Sequence, residues 1–119
     1  MADLQLFTHP KNKVAKKAER FFSDRGIRFH AVDVRRKAPT PGELRKWVQA
    51  FGVQAVLDKT SKTYLEEGLV YFSAGEEDWI ERMCRHPDVI NLPLVRCGTE
   101  LSVGDDPDAW GRFAATLKA

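Results

Sequence analysis

The sequence predicts an α/β domain built on a mixed four-stranded sheet, with a helical insertion at about residues 40–86. Two patterns carry this expectation. A strand–helix–strand unit fills residues 4–34, and a unit of this length is right-handed with its strands parallel. Two short strands joined by a tight turn at Gly98-Thr99 precede a closing helix near the C-terminus. Between these halves the spacing is helical, so the order is βαβ, helices, ββα. The 119 residues fit a single domain, 1–119, with one modest core.

Leu4-Gln-Leu-Phe-Thr8 is a short, nearly continuous apolar strand, suited to a central place covered on both faces. Pro10 ends it and Asn12 is a fair N-cap. Val14, Ala15, Ala18, Phe21 and Phe22 then recur at helical spacing up to Asp24, and Gly26 supplies a left-handed stop. Ile27 to Val34 alternates as a second strand. Thr40-Pro41-Gly42-Glu43 reads as a capping box with proline at the first helical position. The helix it opens carries Leu44, Trp47, Val48 and Phe51 and stops at Gly52. Shorter helical pieces follow at Val53–Leu57 and Tyr64–Leu69, then a helix at Glu76–Arg85 with Trp79, Ile80 and Met83 on one side. Leu92–Cys97 and Glu100–Val103 are the hairpin strands, and Pro107–Leu117 is the last helix. Trp47, Trp79 and Trp110 fall at core positions.

Composition narrows the function classes. Hydrophobic residues at 43% and charged residues at 30% suit a soluble globular chain. No apolar run reaches the roughly 20 residues of a membrane span, and the N-terminus lacks signal-peptide features. A cytoplasmic protein with no membrane partner is expected. Cys84 and Cys97 have no neighbouring histidine or second cysteine, so no zinc spacing exists and no metal is expected. One disulfide can be drawn between them; two reduced thiols are the expectation. The net charge of +2 is unevenly spread: residues 1–46 hold 12 basic and 5 acidic side chains, and the remainder holds 7 and 12. That split fits either solvated helix faces or a basic patch for an anionic partner. Exposed aromatics are not interleaved with the basic residues, so nucleic acid is not an expected partner. A monomer is expected.

Three segments carry a resemblance. They are the first strand and turn with Thr8-His9-Pro10 and Lys16-Lys17-Ala18, the stretch Ala55-Val-Leu-Asp-Lys-Thr-Ser-Lys-Thr-Tyr64 with Leu65-Glu-Glu-Gly-Leu69, and His86-Pro87-Asp-Val-Ile90-Asn91-Leu92-Pro93-Leu94-Val95. In this order they resemble the arsenate reductase (ArsC)/Spx-like family of thioredoxin-fold proteins, over roughly residues 3–115. The resemblance implies a thioredoxin-like, glutaredoxin-like sheet and a cis peptide at Leu92–Pro93. It also implies that Leu92 offers its backbone to an extended substrate.

The family's chemistry does not carry over. Its reductases use a nucleophilic cysteine after the first strand, where a helix N-terminus stabilises the thiolate. That position reads Asn12 here, or Lys13 if the turn is shifted by one. The arginines that hold the oxyanion fall at Leu92, Asp58 and Val103. The two cysteines of the redox-switch members read Asn12 and Ala15. An amide is no nucleophile in place of a thiolate. The expectation is therefore a redox-inactive member with no catalytic residue. It would bind a protein partner, or a small anionic or thiol ligand, at the old groove formed by Lys11, Asn12, Lys13, Leu92 and Pro93. Lysines at a helix start oppose the dipole, so their place there fits either a solvated basic face or a site for a phosphate, sulfate or acidic side chain. The alternative is a glutathione-dependent thiol oxidoreductase using Cys97 or Cys84. A sulfur beside the Asn12 turn and Pro93 would favour it. Cys84 with His86, and His9 as a base, are weaker candidates, and His30 reads as a surface residue of a strand.

Overall fold

The computed structural model describes residues 4–68 and 75–118. Its elements are β1 (Leu4–Thr8), α1 (Lys13–Asp24), β2 (His30–Asp33), α2 (Pro41–Phe51), α3 (Val53–Val56), α4 (Lys62–Glu66), α5 (Glu76–Arg85), β3 (Leu94–Cys97), β4 (Glu100–Val103) and α6 (Pro107–Lys118), with a 3-10 turn at Pro87–Val89 before β3. The sheet order is β2-β1-β3-β4. β1 runs parallel to β2 and antiparallel to β3, and β3–β4 is an antiparallel hairpin. This is the expected mixed four-stranded sheet, with α2 to α5 as the insertion.

Alternation along the strands sends side chains to two cores. Leu4, Leu6, Val95 and Cys97 pack with Phe22, Trp110 and Phe113 on the α1/α6 side. Phe7, Leu94 and Val34 pack with Leu44, Trp47, Ile80 and Met83 on the insertion side. Trp47, Trp79 and Trp110 are all buried, and the Trp47 indole N–H donates to the Ser102 carbonyl at 2.9 Å. A central β1 covered on both faces explains its continuous apolar sequence.

Local signals set the helix ends. Arg25 caps α1 and Gly26 takes φ +69. The Gly26 N–H donates to Ser23 and the Ile27 N–H to Phe22, both at 3.0 Å, which is a Schellman turn. At α2 both arms of the capping box form.

Three elements start at residues other than those expected. β2 begins at His30, not Ile27, because the Schellman turn holds the Ile27 N–H on α1 and leaves Ile27 to fill the α1/α6 core. β3 begins at Leu94, not Leu92: Pro93 has no N–H to give, and its carbonyl is taken by the Gly104 N–H at 3.1 Å. α4 begins at Lys62, earlier than Tyr64, because the Ser61 hydroxyl caps it by accepting from the Tyr64 N–H. Leu69, where that helical piece was expected to end, lies outside the described residues.

Candidate functional site

The site is built where β1 ends. The Asn12 N–H donates to the His9 carbonyl at 3.0 Å, and the Lys11 N–H donates to His9 Nδ1 at 3.0 Å. The turn is thus closed by its own histidine. Asn12 is the N-cap of α1, and its Oδ1 accepts from the Ala15 N–H at 2.8 Å. Of the first-turn donors, those of Lys13 and Val14 have no intrahelical partner and no other bond among the described residues. Lys11 and Lys13 are exposed beside them and carry no ion pair among the described residues. The result is a small positive pole with two free N–H groups.

The opposite wall is the chain entering β3. β1 and β3 pair Phe7 with Leu94, so one further step of that register sets Pro93 opposite Thr8. The Leu92–Pro93 peptide is cis. Both residues are buried, and the Leu92 side chain joins the insertion-side core. The backbone N–H and C=O of Leu92 make no hydrogen bond among the described residues. Thr8, itself buried, donates from its hydroxyl to Glu19 on α1 at 3.1 Å.

On the β2 side, Thr8 pairs with Asp33 and its carbonyl accepts from the Val34 N–H. Asp33 holds Arg35 through Oδ2 at 2.8 Å and accepts the Arg35 N–H at 2.9 Å. Those two hydrogen bonds, helped by the positive field of Arg35 and then of His9, hold the Asp33 carboxyl at about 2. Sequence reading passed over this pair, although an Asp-x-Arg step directly after a strand is a local signal for such a clasp.

Asn91 was also missed as an individual. Its N–H donates to the Val56 carbonyl at 2.7 Å and its side chain to Ala55 at 3.2 Å. The Asp58 N–H donates to Val89 at 2.7 Å, and Leu57 bridges Ile90. These bonds fasten the helical insertion to the segment that carries Leu92 and Pro93. Asp58 is turned to its own loop, where Oδ1 accepts the Thr60 N–H at 2.9 Å. Val103 packs against the insertion-side core.

Neither cysteine is in a disulfide. Cys97 is buried and pairs with Leu4, at the far end of β1 from the turn. Four residue steps of strand separate that position from Thr8, about 13 Å. Cys84 lies half-buried on α5. Burial, and then the negative field of Glu43, push its thiol pKa up, which disfavours the thiolate a nucleophile needs. His86 is directed to Glu67, with Nε2 4.0 Å from its carboxylate. His30 is exposed. Among the described residues no group of three or more His, Cys, Asp or Glu is placed to hold a metal ion, and no helix is long and apolar enough to cross a membrane.

The ArsC family model matches residues 7–113. The chain belongs to the ArsC family. Several solved structures share its fold, which is thioredoxin-like. The YffB (PA3664) protein is 23% identical with a TM-score of 0.84, covering 93% of this chain and 98% of that one. An arsenate reductase from Vibrio cholerae is 20% identical with a TM-score of 0.82, covering 94% and 98%. An ArsC family related protein from Bacteroides fragilis is 20% identical with a TM-score of 0.85, covering 93% and 97%. Among curated proteins none matches the sequence.

Proposed function

We propose that this ArsC-family protein is redox-inactive and acts by binding, as a cytoplasmic monomer, at the cleft between the Asn12 turn and the Leu92–Pro93 segment. The observation that carries this reading is the Asn12 cap. At the position that the resemblance gives to the nucleophile stands an amide, already committed to the Ala15 N–H at 2.8 Å. It has no thiol to form an adduct, and it leaves the Lys13 and Val14 N–H groups beside two exposed lysines. Such a pole attracts a small anion or the acidic side chain of a protein partner. No cofactor is needed. A glutathione-dependent reaction through Cys97 or Cys84 gains no support, since Cys97 stands at the other end of β1 and the Cys84 thiol is raised.

Amide-shift titration with inorganic phosphate tests the proposal. Shifts should concentrate at residues 10–15 and 91–93 and weaken with salt, since exposed charges are screened over about 8 Å at physiological ionic strength. Lys11→Glu with Lys13→Glu should erase them. Shifts scattered over all basic side chains would leave a solvated face and overturn the reading.

A further inference from the structure

The insertion-side face of the sheet carries a second feature. Its residues pair across the four strands in rows. One row, Val32, Phe7, Leu94 and Val103, is apolar and packs into the insertion-side core. Two residues further along each strand the row becomes His30, Gln5, Arg96 and Leu101. Three of these four are polar, so a helix has little to gain by covering them. Three adjoining cavities of about 260, 140 and 570 Å³ open along this row. The first two share Gln5, Phe7 and Glu43, and the last two share Lys46 and Arg96, so they form one groove.

The groove is basic. Arg96 forms its half-buried floor and donates to Gln5 Oε1 at 3.1 Å. Lys46 on α2 forms a wall, and Arg36 and Lys37 stand at the β2 end. None of these four cations has an ion-pair partner among the described residues. The two carboxylates along the groove are already engaged: Asp33 with Arg35, and Glu43 with the Thr40 N–H at 3.0 Å. Three strand spacings give a length of about 14 Å, which is about four residues of extended chain.

We propose that this groove receives an acidic, extended segment of a partner protein. Carboxylates set two residues apart would meet Arg96 and Lys46 in the middle, and Arg36 and Lys37 at one end. A single inorganic anion would use only part of this length. A single-stranded nucleic acid would need exposed rings to stack on, and the aromatic side chains lining the groove, Phe7 and Trp47, are buried. None of the residues lining the groove belongs to the Asn12 turn or to the Leu92–Pro93 segment, so this inference stands whether or not that turn binds phosphate.

A hexaglutamate peptide titrated into the folded protein tests it by amide shifts. Saturable shifts are expected at residues 5, 30, 46, 96 and 98–99. Lys46→Glu with Arg96→Gln should weaken binding by about tenfold or more. Because Arg96 lies in β3, the exposed pair Lys46→Glu with Arg36→Glu gives a second reading that leaves the sheet untouched. Shifts confined to residues 10–15, shifts spread over every basic side chain, unchanged binding by either variant, or tighter binding of a hexauridine RNA would each overturn the proposal.

Discussion

The Asn91 carboxamide occupies the space that a side chain on Gly104 would need. A Cβ built at Gly104 would lie 2.5 Å from Asn91 Nδ2, and Gly104 itself has φ +64. The same Gly104 gives its N–H to the Pro93 carbonyl, and the same Asn91 holds α3. The end of β4, the entry to β3 and the helical insertion therefore meet at this one contact.

Gly104→Ala should destabilise the fold by about 1–3 kcal/mol, from the left-handed backbone together with the displaced carboxamide. Asn91→Ala should cost about 1–2 kcal/mol through the unpaired Ala55 carbonyl. The double variant should cost less than the sum, because removing the carboxamide makes room for the alanine methyl. Urea unfolding of the three proteins measures this, and strict additivity would contradict the contact.

Asn12→Ala should remove about 1 kcal/mol of stability with the lost cap. Asn12→Cys places a thiol at the N-terminus of α1 between Lys11 and Lys13, and its pKa should fall below the ordinary 8.5 or so of a free thiol. The pH dependence of iodoacetamide alkylation reads that pKa. A value at or above the ordinary one would mean that the α1 pole is not electropositive.

The Asp33 carboxyl, ordinarily at 3.8, sits at about 2 in the folded protein. A depressed folded pKa means that its share of stability is complete above the unfolded value and is lost as pH falls from near 4 through 2. Carbon-detected titration should place the Asp33 midpoint near the lower figure. Arg35→Gln should return it toward the ordinary value and flatten this part of the stability profile. An unchanged midpoint in that variant would remove the Arg35 side chain as the cause.

The parts of this molecule that were legible in the sequence are those set by neighbours along the chain. Thr40 and Glu43 announce α2 because both arms of the capping box lie within four residues. Gly26 stops α1 because a left-handed residue is needed there. Asn12 could be read as a cap for the same reason. β2 was overextended because Ile27 and Phe29 alternate like a strand, while a hydrogen bond back to Phe22 holds Ile27 in the turn. Asn91 was hidden because its partners are Ala55, Val56 and Gly104, which only the tertiary fold brings to it. The polar row His30, Gln5, Arg96 was hidden likewise, since the sheet register that aligns those residues is not written in any one segment.

The most direct measurement is a reductase assay on the purified protein, with arsenate and with a small mixed disulfide as substrates, coupled in turn to glutathione and to thioredoxin. With an amide at Asn12, Cys97 at the far end of β1 and a raised thiol at Cys84, turnover should not exceed the blank with either couple. Reproducible turnover that disappears in Cys84→Ser or Cys97→Ser would contradict the account and return thiol chemistry to this protein.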